Sequence, residues 1–313
     1  MRVLTRVASA AAVLAVMGLA PAPTATAASS TNCGTKYGQA PNWQHVTLVV
    51  FENKSFSQII GNTADAPYLD ALAHQCSYAT NMNHMTTVSL TNYIAMTSGY
   101  TGHSNGHEVP ITGTKAPRVW PQDSVSIFEL LGDDAWEWAE SMPSNCYKGN
   151  SGDLFEVGHT PFQYYVRTQQ TLCPRHAVPL GSNDPMKARF NLLIPNRVHD
   201  MHGTATTTTA KSRIRAGDAW AKSYIPTMLA SPEYQAGNSV IILAWDEANA
   251  KTSKMPFIVI SPYTKAGGST DVRYNHYSTL KGVEQMLGAA PLLGHAADAD
   301  VASIAHDPVL GLG

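Results

Sequence analysis

The chain has 313 residues and a formal charge of −2 at pH 7. Only 14% of its residues are charged, against about 25% in an average soluble domain. A nearly neutral chain with few cations offers no basic surface that could neutralise a nucleic-acid backbone, so we expect no nucleic-acid partner.

The first 27 residues predict a secretory signal peptide. Arg2 and Arg6 precede an apolar segment over residues 7–20. After it, Ala25-Thr26-Ala27 matches the small-residue pattern that signal peptidases cut. The apolar segment is too short to span a bilayer. We therefore expect residues 28–313 to form a single secreted domain, monomeric and without stable membrane anchoring.

Four cysteines follow the predicted signal peptide: Cys33, Cys76, Cys146 and Cys173. An even number in an oxidising compartment predicts two disulfides, for which three connectivities are possible. We favour pairing between nearest neighbours, Cys33 with Cys76 and Cys146 with Cys173. A zinc site is the alternative, but the cysteines lack the close Cys-x-x-Cys spacing.

The first predicted strand, His45–Phe51, is a continuous run of β-branched and apolar residues. Such runs are typical of central strands in parallel sheets that are covered on both faces. Ligands bind beyond the carboxyl ends of these strands, and here Glu52 and Asn53 follow directly. A helix over residues 66–73 and a short strand over 77–81 come next.

Ser89 lies at the predicted start of a helix that ends at Gly99. Leu90, Tyr93 and Ile94 recur at helical spacing, and a glycine is a common helix terminator. A serine at this position usually caps the helix. The same position favours an anion and an ionised hydroxyl, so that Ser89 is also a candidate nucleophile.

The segment Gly102–Gly106 matches the G-x-S-x-G pattern, with Ser104 at its centre. In α/β-hydrolases this pattern requires a preceding strand and a following helix. Here a predicted helix precedes it, and Pro110 and Gly113 stand where the next helix should begin. We interpret the match as accidental, with a serine esterase or lipase using Ser104 as the alternative of another class.

A short helix at 126–131, a strand at 135–142 and an irregular, lid-like region at about 143–187 come next. The strand predicted at 188–195 runs into a loop that contains His199, Asp200 and His202. These residue types suit a second metal or proton transfer, although a hydrogen-bonded loop would contain the same types. Residues 206–209 suggest an exposed linker, and residues 217–229 an amphipathic helix.

A second core-type strand, Ser239–Trp245, ends in Asp246 and Glu247. If it lies beside the first strand, the two carboxyl ends bring together four oxygen-donor side chains, which repel one another unless a divalent cation lies between them. A strand at 256–262 follows. The last predicted helix is capped by Asn275 and ended by Gly288, with His276 in its first turn.

Several of these segments together resemble a known family. The chain resembles, over about residues 46–297, the phosphoesterase family that contains bacterial and fungal acid phosphatases and non-haemolytic phospholipases C, a branch of the alkaline phosphatase superfamily. The matching segments, in order, are Phe51–Phe56, Ser89–Tyr93, Pro195–Asn196 through Asp200–His202, Trp245–Glu247 and His276–Leu280. The chain departs from the family pattern at Thr87, where relatives often have histidine, and at Thr91, which replaces a frequent proline; His84 is a candidate substitute for that histidine.

The resemblance implies an α/β fold, a three-layer sandwich with a mostly parallel central sheet. It also implies a divalent cation, with Ca²⁺, Mg²⁺, Mn²⁺, iron and zinc all open, and Ser89 as both nucleophile and ligand. The other implied ligands are Glu52, Asn53, Asp246 and Glu247. His276 would contact the phosphoryl group or the leaving oxygen, and the loop with His199, Asp200 and His202 would fill the far side of the pocket.

The predicted reaction is phosphoryl transfer from a small phosphate ester. Ser89 would attack phosphorus to form a phosphoserine, which water then hydrolyses, and His202 or His276 would protonate the leaving alcohol. We expect a phosphate monoesterase, because the chain is compact and has no added lipid-docking module. A phosphodiesterase of phospholipase C type is the alternative within the family, and a degenerate binding protein that keeps the fold is a third.

Overall fold

The computed structural model describes residues 33–36, 40, 42–181, 185–249 and 251–313. The predicted signal peptide, residues 1–27, lies outside the described residues. Residues Thr31–Gly313 belong to one compact unit.

Strands and helices alternate along most of the chain. The strands are β1 (His45–Phe51), β2 (Ser77–Ala79), β3 (Met82–Asn83), β4 (His103–Ser104), β5 (His107–Glu108), β6 (Ala135–Ala139), β7 (Ala177–Pro179), β8 (Phe190–Ile194), β9 (Ser239–Trp245), β10 (Lys254–Met255), β11 (Phe257–Ile260) and β12 (Gly268–Thr270). The helices are α1 (Phe56–Ile59), α2 (Pro67–Gln75), α3 (Ser89–Ser98), α4 (Ile127–Leu131), α5 (Cys173–His176), α6 (Ala210–Leu229), α7 (Pro232–Gln235) and α8 (His276–Leu287). Short 3₁₀ helices lie at 132–134, 157–159, 161–164, 294–297 and 304–306.

Eight strands form the central sheet, in the order β12-β2-β11-β9-β1-β8-β6-β7. From β9 to β7 each strand runs parallel to its neighbours, whereas β11 runs antiparallel to both β9 and β2. The mostly parallel sheet predicted from the sequence is therefore confirmed. Strands β1 and β9 lie at its centre and pair in register from His45 with Ser239 to Phe51 with Trp245.

Helices cover both faces of the sheet. Every residue of β9, and every residue of β1 after His45, is buried, which requires a covering layer on each side. One set of packed helices contains α2 and α6, and another contains α3, α4 and α8. The three-layer α/β architecture is confirmed.

Helix α6 is longer than predicted. It begins at Ala210 instead of Gly217, because Thr209 caps it: the hydroxyl of Thr209 accepts a hydrogen bond from the backbone of Ser212, and the Ser212 hydroxyl accepts one from the backbone of Thr209. The threonine run interpreted as linker thus ends in a helix cap.

The irregular region at 143–187 contributes to the sheet as well as to the surface. Strand β7 extends the sheet by pairing with β6, and the disulfide between Cys146 and Cys173 closes the region. The other disulfide joins Cys33 and Cys76, so the favoured connectivity is confirmed. None of the described helices combines the length and apolar character that a bilayer crossing requires.

Candidate active site

The carboxyl ends of β1 and β9 bring two acidic residues together. Phe51 lies opposite Trp245, so that Glu52 and Asp246 leave the sheet side by side. Their backbones continue the pairing, because the Asp246 N–H donates to the Phe51 carbonyl at 2.9 Å and the Glu52 N–H donates to the Asp200 carbonyl at 2.7 Å. Both carboxylates are fully buried. The strand-end convergence expected from the sequence is present.

Asn53 links these two carboxylates. Its backbone N–H donates to Asp246 Oδ1 at 3.0 Å and its side-chain Nδ2 donates to Glu52 Oε2 at 2.7 Å. Its φ of 53° is in the left-handed region, which asparagine tolerates better than most residues with a side chain. An asparagine here thus adopts the turn conformation and also donates hydrogen bonds to both acidic neighbours.

Ser89 reaches the same place from α3. Its hydroxyl donates to Glu52 Oε2 at 3.1 Å. Val88 occupies the N-cap position and Ser89 is the first helical residue, so the predicted N-cap was one residue too late. Without a capping role, the Ser89 hydroxyl is directed at the carboxylates. Asn92, one turn further, accepts hydrogen bonds from the backbone of Met85 and Thr86 and so holds the loop that leads into Ser89.

Burial and mutual repulsion make this group of acids unfavourable when ionised. Burial, followed by the charges of Asp246 and Asp200, raises the pKa of Glu52 well above its usual value. Burial also raises the pKa of Asp246, and it raises that of Glu247 to about 8. Among the described residues none donates a hydrogen bond to Asp246 Oδ2, although that oxygen is buried.

This donor set fits a divalent cation. A buried carboxylate oxygen without a partner, beside a second carboxylate, an amide and a hydroxyl, is the oxygen-rich environment that hard cations bind. Glu247 is at the periphery of the set, with Oε2 at 3.5 Å from Asn92 Nδ2. The cation would offset the repulsion that raises the pKa values of these acids.

His159 belongs to the site, and the sequence reasoning did not select it. It comes from the irregular region, where it is almost fully buried and stacks on Tyr93. Its Nδ1 lies 3.2 Å from Asp200 Oδ2 and its Nε2 lies 3.4 Å from Glu52 Oε1. Burial lowers the pKa of His159, but the hydrogen bond and charge of Asp200, together with the charges of Glu156 and Asp246, make the net shift upward.

Ligand atoms of Glu52, His159 and His202 lie within 4.8 Å of one another, so these three residues are a second group that could hold a metal ion. A histidine ligates a metal only when it is neutral. Both ring nitrogens of His159 face carboxylates, Asp200 on one side and Glu52 on the other, so metal binding by this histidine would replace one of these contacts. Glu52 is common to this group and to the oxygen-donor set around Asp246.

The loop after β8 separates its three predicted site residues. Asp200 is fully buried, faces His159 and accepts a hydrogen bond from the His202 backbone at 2.6 Å. His202 lies beside His159, with ring centroids 5.4 Å apart. His199 points elsewhere, since its Nδ1 donates to Glu140 at 2.8 Å and its ring stacks on Trp220.

His276 lies at the start of α8, behind Asp246. Its Nε2 donates to the Asp246 carbonyl at 2.6 Å, and its Nδ1 is buried with no hydrogen-bond partner among the described residues. Burial lowers the pKa of His276 to about 4. The neutral ring therefore holds the backbone of Asp246 in place. His84 contacts the same loop, where its Nδ1 accepts from the Ala248 N–H.

Two further residues hold the site and were not predicted. Tyr93 donates from its hydroxyl to Glu52 Oε1 at 2.7 Å. Lys54 extends its ammonium group to the carbonyl oxygens of Glu52, Asn53 and Met201, at 3.3, 3.1 and 2.8 Å, and so joins the loop after β1 to the loop after β8. Burial lowers the pKa of Lys54 to about 8.

Ser104 lies outside this arrangement. It ends β4 in the two-residue strand pair with β5, where Asn105 and Gly106 both have positive φ and form the connecting turn. The G-x-S-x-G segment is thus a β-hairpin and lacks the strand–turn–helix geometry of a nucleophile elbow.

The chain is similar in sequence to known phosphoesterases over most of its length. The model of the Phosphoesterase family matches residues 62–289. A phosphatidylinositol-3-phosphatase of Mycobacterium tuberculosis is 26% identical over 261 residues, which cover 83% of this chain and 81% of the relative.

Solved structures show the same fold at low identity. A protein of the alkaline phosphatase superfamily from Vibrio parahaemolyticus superposes with a TM-score of 0.56 at 14% identity, covering 87% of this chain and 72% of that one. The lipoteichoic acid synthase LtaP from Listeria monocytogenes gives a TM-score of 0.53 at 11% identity, covering 90% of this chain and 77% of that one. The chain therefore shares its fold with these structures.

Proposed function

The chain belongs to the Phosphoesterase family and is a phosphoric ester hydrolase, and from this premise we propose that it is a secreted, metal-dependent phosphatase that cleaves phosphate monoesters through a phosphoserine intermediate. The observation that carries the proposal is the Ser89 hydroxyl placed 3.1 Å from Glu52, within a set of buried carboxylates.

The proposed cation ligands are Glu52, Asn53, Ser89, Asp246 and Glu247. A cation held there would lower the pKa of the serine hydroxyl and offset negative charge on the phosphoryl oxygens. Tyr93 and Asn53 support this set by donating hydrogen bonds to the two oxygens of Glu52, which fixes the orientation of that carboxylate.

Ser89 is the proposed nucleophile. Its oxygen forms the new bond to phosphorus as the bond to the leaving oxygen breaks. The hydroxyl proton, which already points at Glu52, passes to that carboxylate. Water then attacks the phosphoserine and releases inorganic phosphate. His159 lies between Glu52 and Asp200 and, when protonated, would place positive charge near the phosphoryl oxygens.

His202 is the proposed proton donor to the leaving alcohol. Its ring lies beside that of His159, with centroids 5.4 Å apart, and lines an open pocket from which a leaving alcohol could reach it. His276 is less suited to this role, because its Nε2 proton is already donated to the Asp246 carbonyl and its pKa of about 4 keeps the ring neutral.

The monoester preference and the location outside the cytoplasm are further parts of the proposal. The Mycobacterium tuberculosis relative is named a phosphatase, which supports action on a monoester. The two disulfides favour an oxidising compartment, in line with the signal peptide predicted from the sequence. We expect a monomer that acts on phosphate-ester substrates.

The test compares three substrates and two serine variants. Purified protein should release phosphate from p-nitrophenyl phosphate, and it should be much slower on bis-p-nitrophenyl phosphate and phosphatidylcholine. Ser89→Ala should abolish turnover, whereas Ser104→Ala should retain it. Faster cleavage of either diester would replace the monoesterase by a phospholipase C type enzyme. Activity that is lost with Ser104 and insensitive to chelators would indicate a serine esterase.

A further inference from the structure

A pocket of about 280 Å³ opens directly beside the proposed site, on the side of His202. Its lining includes two arginines, Arg197 and Arg213, and one acidic residue, the exposed Asp153. His202 lines this pocket and also belongs to the group with Glu52 and His159. His202 therefore connects the pocket to the group of side chains around Glu52.

Arg213 is a cation on the pocket wall whose charge is not neutralised by an ion pair within the described parts of the chain, where no carboxylate lies within 4 Å of it. Its Nε donates to the carbonyl of Thr207 at 2.9 Å. Its guanidinium is therefore held by an uncharged acceptor and is not paired with a carboxylate of the described residues. An arginine held in this way on a pocket wall is suited to bind an external anion.

The backbone makes room for this arginine. Gly203 has φ of +100°, and a Cβ built on it would lie 2.3 Å from Arg213 Nε. A side chain at position 203 would displace the guanidinium, so that glycine at this turn and arginine on α6 depend on each other. The turn that follows His202 thus helps to fix the position of Arg213.

Arg197 provides the second cation. Its Nη2 donates to His202 Nδ1 at 3.2 Å, and its Nε lies 3.4 Å from the carboxylate of Glu156. Glu156 offsets part of this charge, which leaves Arg213 as the main source of positive potential in the pocket. A concave wall that carries such a positive charge raises the local concentration of anions.

We propose that this pocket binds a second anionic group, a phosphate or carboxylate carried by the leaving group of the substrate. The inference rests on the proposed function, because it places the second anion in the pocket beside His202, next to the site where Ser89 would attack the phosphoryl group. The preferred substrates are then phosphate monoesters with another acidic group on the alcohol, and Arg213 determines that preference.

The experiment uses two matched substrates, 3-carboxyphenyl phosphate and 3-carbamoylphenyl phosphate. They differ in charge at one substituent and little in shape. The full chain should have a kcat/KM at least about tenfold higher for the carboxylate, as expected for one charge-assisted hydrogen bond. Arg213→Gln should reduce this ratio to near one, and Arg213→Lys should retain part of it. Raising the salt concentration should lower the ratio for the native protein.

Lys211→Gln is the matched control, since it removes one exposed cation from the same helix outside the pocket and should keep the ratio. Inorganic sulfate distinguishes a substrate-linked anion from a free one: it should slow the carboxylate substrate more than the amide. Equal inhibition of both substrates would overturn the proposal. A native ratio near one, or a ratio that Arg213→Gln leaves unchanged, would also overturn it while phosphate release upheld the proposed function. No phosphate release from either substrate would overturn both.

Discussion

The hydroxyl of Tyr93 touches the proposed cation site without being one of its ligands, which makes Tyr93→Phe an informative perturbation. The hydroxyl donates to Glu52 Oε1 at 2.7 Å, and both side chains are fully buried. This hydrogen bond lowers the pKa of Glu52, against the larger upward effect of burial. Removing the hydroxyl therefore leaves this buried oxygen with only the more distant His159 Nε2, at 3.4 Å, and makes the ionised ligand less favourable.

A hydrogen bond to a charged group contributes about 1.5–3 kcal/mol, and the loss of an outer partner of a metal ligand typically lowers metal affinity about 10- to 100-fold. Asn53 and Ser89 still donate to the other oxygen, Oε2, so the effect is confined to Oε1. We expect Tyr93→Phe to weaken cation binding about tenfold or more. Titration calorimetry of chelator-treated protein with Mn²⁺, Ca²⁺ and Zn²⁺ measures this directly.

Tyr165→Phe is the matched control. Tyr165 is equally buried and its hydroxyl lies 2.6 Å from that of Thr97, away from the carboxylates. The control should lose stability of the same order as Tyr93→Phe but keep its cation affinity. Equal cation affinities in the native protein and Tyr93→Phe would refute the assignment of Glu52 as a ligand.

Other outcomes follow from the same geometry. Replacing His159 by Asn should lower kcat about a hundredfold by removing a positive charge beside the phosphoryl group, and an unchanged kcat in steady-state assays would contradict that role. Adding the cation at about 100 times its Kd should stabilise the protein by about 2.7 kcal/mol, measured as a rise in Tm that EDTA reverses. A Tm that changes with neither the cation nor EDTA would argue against the site. Burial raises the pKa of Glu137 from 4.5 to about 8, so its contribution to stability is complete below pH 4.5 and is lost as pH rises through 8. Glu137→Gln should flatten the stability–pH curve in that window by up to about 1.4 kcal/mol per pH unit, measured by urea unfolding at several pH values, and an unchanged slope would contradict the raised pKa.

The central strands and the polar residues that follow them could be predicted because the same apolar runs locate both. Apolar runs as long as His45–Phe51 and Ser239–Trp245 suit only a sheet covered on both faces, and parallel strands place their following residues at one edge. Helix α8 was equally accessible, since Asn275 and Gly288 are strong boundary signals and the structure has both as caps. Local sequence signals were sufficient to predict these elements.

His159, Lys54 and Tyr93 could not be selected in the same way. His159 lies in a segment without periodicity, and its position depends on long-range packing against α3 and the loop after β8. Tyr93 has helical spacing that predicts a core residue, which it also is. The only sequence signal for His159 was a histidine among buried aromatics in a chain with few charges. Such a signal does not distinguish packing from chemistry.

The most direct test of the account is to trap the phosphorylated enzyme. Purified protein mixed with p-nitrophenyl phosphate and quenched in acid within the first turnover should carry one phosphoryl group, located by peptide mass spectrometry on Ser89. Chelator-treated protein should carry none. A phosphoryl group on another residue, or full turnover with Ser89 never modified, would contradict the assignment of Ser89 as the nucleophile among the buried carboxylates.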